Sequence, residues 1–157
     1  MSSEKKAALF ICLGNICRSP IAEAVFLNLL KQRGLTDKWI VDSAAIGPWH
    51  VGKGPDKRAR STLEANGIDY KHTVRQIRKD DFNQFDYIFG MDDENMENLK
   101  HQAPAGSKAQ LHLVGAFDPK GERIIRDPYY DSDDKGFHKC YEQCVRSLTA
   151  FLDQQSK

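Results

Sequence analysis

Long apolar runs are missing from this chain. The run near its start, Ala7 to Leu13, is too short to cross a membrane, and no small-residue cleavage site follows it. Ser2 removes the N-myristoylation motif. An excess of one charge is also lacking: 23 Lys and Arg stand against 22 Asp and Glu, a formal net charge of +1. That balance favours neither a nucleic-acid partner nor an acidic tail. An anionic ligand would have to be drawn by a local field. Cysteine is sparse, with only Cys12, Cys17, Cys140 and Cys144. Structural disulfides are disfavoured in a cytosol, so each thiol is read on its own. No internal repeat, low-complexity tract or linker is evident. These absences predict a cytoplasmic, monomeric protein with one domain over residues 1–157 and no nucleic-acid or membrane partner.

Hydrophobic residues make up 40% of the chain, an ordinary globular share, arranged as alternating strands and helices. Ala7 to Cys12 reads as a central strand, apolar on both faces. Ser19-Pro20 predicts a helix start, with Ser19 as cap and Pro20 in the first turn. Ala22, Val25, Phe26, Leu29 and Leu30 fall on one face of that helix, and Gly34 ends it. Strands are predicted at Trp39–Asp42, Phe85–Met91 and Gln110–Val114, and a helix at Pro55–Asn66. Asp92 can cap a further helix, and a last one carries Phe137, Tyr141, Cys144, Val145, Leu148 and Leu152 on one face. The expected fold is α/β: a four-stranded parallel sheet with helices on both faces, a Rossmann-like three-layer sandwich. Parallel strands end at one edge, where ligands sit. Cys12, a turn at Ser43, Asp92 and the stretch after Val114 should meet there.

The segment Cys12-Leu13-Gly14-Asn15-Ile16-Cys17-Arg18-Ser19-Pro20 leaves a buried strand and enters a helix. A loop there can turn successive backbone N–H groups inward as an anion-binding nest, and the helix N-terminus adds to the field. Gly14 permits close backbone approach, and Asn15 tolerates a left-handed conformation. A thiol at such a site ionises readily. Cys12 would face the nest, Arg18 and the Ser19 hydroxyl. The planar guanidinium of Arg18 matches two phosphoryl oxygens at once. A nucleophilic sulfur beside a phosphate cradle implies covalent phosphoryl transfer. No Gly-Lys-Ser/Thr follows Gly14, which excludes a nucleotide P-loop.

A second element is Asp127-Pro128-Tyr129-Tyr130. A phenolate leaving group needs a proton, and a carboxylic acid can supply it. Pro128 biases Asp127 toward an extended conformation, and the tyrosines offer aromatic walls. On its own the tetrapeptide also reads as an exposed turn.

Together the two segments closely resemble the low-molecular-weight protein tyrosine phosphatases. Asp42-Ser43-Ala44, Arg75-Gln76-Ile77, Phe85-Asp86-Tyr87-Ile88 and Met91-Asp92 are also similar to that family. The resemblance implies Cys12 as nucleophile, Arg18 on the equatorial oxygens, and Asp127 as acid and then base. It implies that Ser19 hydrogen-bonds the Cys12 sulfur, and that Asn15 shapes the loop through Ser43 and His72. Trp49, Tyr129 and Tyr130 would line the pocket mouth. Substrates would be tyrosine-phosphorylated proteins and small aryl phosphates, with inorganic phosphate as product and no metal or cofactor. Specificity would depend on Leu13, His50, Lys53 and Tyr129–Tyr130, without a preference being readable. A Cys12–Cys17 disulfide under peroxide and phosphorylation of Tyr129 or Tyr130 are also implied.

Cys17 could equally only pack. Cys140 and Cys144 are spaced as a helical metal pair but lack a partner pair, and Cys144 lies on the apolar stripe, so packing is expected. One rival is an arsenate reductase, whose thiol relay is missing because residues 18–139 contain no cysteine. Another is a non-catalytic phosphotyrosine-binding module, which would not need Cys12, Arg18 and Asp127 together.

Overall fold

The computed structural model describes residues 5–155; Ser2 and the outer ends of the domain expected over 1–157 lie outside them. Lys6–Cys12 forms β1, whose residues from Ala7 onward are buried. Its side chains alternate between two cores. Ala8, Phe10 and Cys12 join one cluster, while Ala7, Leu9 and Ile11 join the other. That is the pattern of a strand covered on both faces.

Three more strands complete the sheet: β2 (Trp39–Ala45), β3 (Tyr87–Gly90) and β4 (Gln110–Leu113). All pairings are parallel, in the order β2-β1-β3-β4. The helices are α1 (Arg18–Gln32), α2 (Lys57–Ala65), α3 (Asp81–Gln84), α4 (Asp93–Gln102) and α5 (Lys135–Gln155). Residues of α1, α2 and α5 fill the first core, with Phe10 stacked on Phe89 at 5.1 Å. Phe82 of α3 and Met96 and Leu99 of α4 fill the second. The result is the expected α/β sandwich of three layers. No helix among the described residues is long and apolar enough to cross a membrane.

Several local expectations are corrected. Helix α1 begins at Arg18 with Cys17 in the cap position and no side-chain cap, so Ser19 lies inside the first turn. Its hydroxyl is used elsewhere. Strand β2 runs on to Ala45, so Ser43 is in a strand and not a turn. Helix α2 starts at Lys57, where Asp56 accepts the Arg58 amide as N-cap, and not at Pro55. Strands β3 and β4 are shorter than predicted. Asp92 does cap α4, accepting the Asn95 amide at 2.8 Å. Cys140 and Cys144 are both buried in the core, as packing requires.

Candidate active site

β1 ends at Cys12, and the chain turns at once into α1. Asn15 makes the turn possible by adopting φ 58, the one positive φ outside glycine among the described residues. The Cys12 sulfur then lies inside the turn. It faces the amides of Asn15 at 3.3 Å and Ser19 at 3.4 Å, and the Ser19 hydroxyl at 3.0 Å. Ser19 Oγ accepts from Asn15 Nδ2 at 2.7 Å, so its own proton is free to point at the sulfur. Three donors therefore converge on one buried sulfur, the arrangement that favours a thiolate.

Asn15 is itself held from behind. Its Nδ2 also donates to Ser43 Oγ at 3.0 Å, and its Oδ1 lies 2.7 Å from His72 Nε2. An amide oxygen only accepts, so Nε2 carries a proton. Ser43 donates to Glu23 Oε1 at 2.6 Å, as does Tyr70. Glu23 Oε1 stands 3.6 Å from His72 Nδ1. Burial works against charge on both Glu23 and His72, and it pushes the Glu23 carboxyl up to about 7 against the two hydroxyls that donate to it. Burial also pushes the Cys17 thiol up, with the Cys12 charge adding to the effect.

Arg18 is only 2% exposed. Its Nη1 donates to Asp92 Oδ2 at 2.6 Å and to the Ile125 carbonyl at 3.0 Å. Nε has no hydrogen-bond partner although it is buried, and Nη2 has only a longer contact, 3.7 Å from Asp127 Oδ2. Nε–H and Nη2–H share one edge of the guanidinium, and that edge is what a planar oxyanion takes up. Burial opposes the charge on Arg18, but the Cys12 charge, Asp92 and Asp127 outweigh it and hold the cation firmly protonated.

Above the sulfur lies a cavity of about 280 Å³. Cys12, Arg18 and the loop residues Leu13, Gly14, Ile16 and Cys17 form its base. Trp49, His50, Asp127, Tyr129 and Tyr130 complete the lining, with the His50 and Tyr129 rings 6.2 Å apart. Trp49 folds over Gly47, where any Cβ would overlap the indole. Tyr129 and Tyr130 meet edge to face at 4.8 Å, and Tyr130 is 90% exposed. The cavity is therefore polar and cationic at the bottom and aromatic at the mouth. Asn15, Ser19, Ser43 and His72 do not line it; they brace the loop from behind.

A family model described as low molecular weight phosphotyrosine protein phosphatase matches residues 7–157. A relative in Drosophila melanogaster, "Low molecular weight phosphotyrosine protein phosphatase 1", is 53% identical over 96% of this chain and 97% of its own length. The chain belongs to the low molecular weight phosphotyrosine protein phosphatase family. Two solved structures agree. That of Primo-1 superposes with a TM-score of 0.93 at 52% identity, covering 97% of this chain and 99% of its own. A drosophila arginine phosphatase superposes with a TM-score of 0.91 at 38% identity, covering 96% and 98%.

Sequence reasoning missed parts of this candidate site. Asp92 was expected at the ligand edge and as a helix cap; that it also holds Arg18, 74 positions away, needs the fold. Glu23 carries a weak signal, being an acid one helical turn after Ser19 within an apolar stripe. Tyr70 has none. Among the described residues one trio could approach a metal, Glu23, Asp42 and His72, but each is already bonded: Glu23 to two hydroxyls, Asp42 to Arg75 and His72 to Asn15.

Proposed function

We propose that this chain hydrolyses phosphotyrosine in proteins and small aryl phosphate monoesters through a phosphocysteine on Cys12. The observation that carries this reading is one buried sulfur held by three donors beneath an aromatic-walled cavity, with the open edge of Arg18 beside it. The thiolate attacks phosphorus in line as the bond to the phenolic oxygen breaks. Arg18 and the loop amides take the charge on the equatorial oxygens. Asp127 gives its proton to the departing oxygen. Water then attacks the phosphocysteine, Asp127 takes a proton back, the S–P bond breaks, and inorganic phosphate leaves. The Ser19 hydroxyl stabilises the sulfur as it departs. No metal or other cofactor enters this scheme, because Arg18 and the amides supply the positive charge.

One structural neighbour is named an arginine phosphatase. In this chain Trp49, Tyr129 and Tyr130 line the cavity and offer faces on which a substrate ring can stack. An arsenate reductase is disfavoured because Cys140 and Cys144 are buried in the core and cannot relay electrons. Free thiols suit the cytoplasm, and a monomer of one domain over residues 1–157 is sufficient for this chemistry. The test is turnover of p-nitrophenyl phosphate. Release of product by wild type, with Cys12→Ser silent, supports the enzyme; inertness of both supports a binding module.

A further inference from the structure

We propose that Arg58 is a positioning residue for the leaving-group acid: it clamps the segment that follows Asp127 and so fixes which carboxyl oxygen faces the substrate. The proposal rests on the reading of Asp127 given above.

Arg58 lies in the first turn of α2 and does not line the cavity. Its guanidinium is nevertheless bound along both edges. Nε and Nη2 each stand 3.1 Å from an oxygen of Asp56. Nη2 also donates to the Tyr129 carbonyl at 2.8 Å, and Nη1 to the Asp131 carbonyl at 3.0 Å. The group sits over the Phe137 ring at 4.5 Å and beside the Tyr129 ring at 5.9 Å. Asp56 in turn donates its amide to the Ile16 carbonyl at 2.8 Å. Asp56 and Arg58 thus tie the phosphate loop to the acid segment.

Tyr129 passes the constraint on. Its carbonyl accepts from Arg58, while its amide donates to Asp127 Oδ1 at 3.0 Å. One oxygen of Asp127 is therefore engaged by the backbone. The other, Oδ2, is the one 3.7 Å from Arg18 Nη2 and next to the reacting centre. An exposed ion pair alone would contribute little. Here the fork also reaches two carbonyls, 71 and 73 positions along the chain, and so selects a backbone conformation. A lysine ammonium cannot hold Asp56 and both carbonyls in that planar geometry. The far side of the segment is tied separately, by Arg126 on Asp131.

The experiment measures kcat/KM for aryl phosphates whose phenols span a range of acidity, together with inhibition by inorganic phosphate. A misplaced acid costs most where the leaving group most needs a proton. Arg58→Met, which keeps the apolar stem, and Arg58→Lys should lose about tenfold on phenyl phosphate but less than about threefold on p-nitrophenyl phosphate. Phosphate inhibition should stay within about twofold of wild type. A loss uniform across the series, or none, overturns the proposal. Asp127→Asn separates the two readings. A steep dependence in Asp127→Asn with a wild-type slope in Arg58→Met removes the positioning role and leaves the acid. A wild-type slope in both removes the acid and the proposal with it. If Arg58→Met does not fold, Asp56→Asn, which keeps an N-cap acceptor but loosens Arg58, is read the same way: a steeper slope than wild type supports the clamp, and an unchanged slope overturns it.

Discussion

Arg18 Nη1 stands 2.6 Å from Asp92 Oδ2, so the guanidinium is anchored by the same carboxylate that caps α4. The pairing fixes the side chain by one nitrogen and leaves the Nε–Nη2 edge open. Asp92→Asn keeps the cap, because Asn caps as well as Asp. It loses the charge-assisted bond, worth about 1.5–3 kcal/mol. We expect kcat/KM for p-nitrophenyl phosphate to fall about tenfold and inorganic phosphate to bind more weakly. Wild-type values for both would show that Arg18 needs no anchor.

Trp49 packs on Gly47, which leaves no room for a side chain. Gly47→Ala must displace the indole. Stacking on one aromatic wall contributes about 0.5–1.5 kcal/mol, so KM for aryl phosphates should rise about threefold or more. Inhibition by inorganic phosphate, which does not reach the mouth, should not change. A parallel shift in both would mean that the phosphate loop itself had moved.

Glu23 faces His72 Nδ1 at 3.6 Å behind the loop. Its carboxyl titrates at about 7, so near neutrality the pair can hold an anion opposite the imidazole. An anion at that range favours the imidazolium. Glu23→Gln removes it, and the His72 imidazole pKa, followed by NMR, should fall below its wild-type value. An unchanged value would show that the two groups titrate independently.

Cys12 and Cys17 both line the cavity base. Peroxide oxidises the Cys12 thiolate to a sulfenic acid with release of hydroxide. The Cys17 thiol then condenses with it, releasing water and forming a disulfide that a thiol reductant reopens. With enough peroxide to carry an unprotected sulfenic acid on to the sulfinic acid, wild-type activity should return after reduction, whereas Cys17→Ser should stay inactive. Equal recovery in both would make Cys17 a packing residue only.

What the sequence made legible was whatever depends on neighbours along the chain. β1 could be read because Ala7 to Ile11 is apolar without alternation, as burial on both faces demands. The start of α1 could not. Ser19-Pro20 looks like a cap, but the Ser19 hydroxyl is bonded to Cys12 and Asn15, and the helix begins without a side-chain cap. A residue occupied by the site cannot also serve the local rule that would announce it. Of the candidate site, Cys12, Arg18 and Asp127 were legible through spacing and resemblance. The pairing of Asp92 with Arg18 and the parts played by Glu23, Tyr70 and Arg58 were not, because each acts on a partner brought near only by the sheet and its crossovers.

The most direct test is to find where the phosphoryl group rests. Wild-type protein is mixed with p-nitrophenyl phosphate, quenched in acid within the first turnover, digested and read by mass spectrometry. One phosphoryl group on the peptide's Cys12, absent in Cys12→Ser, is the predicted result. Product release with no covalent phosphate, or with the label on any other side chain, would contradict it.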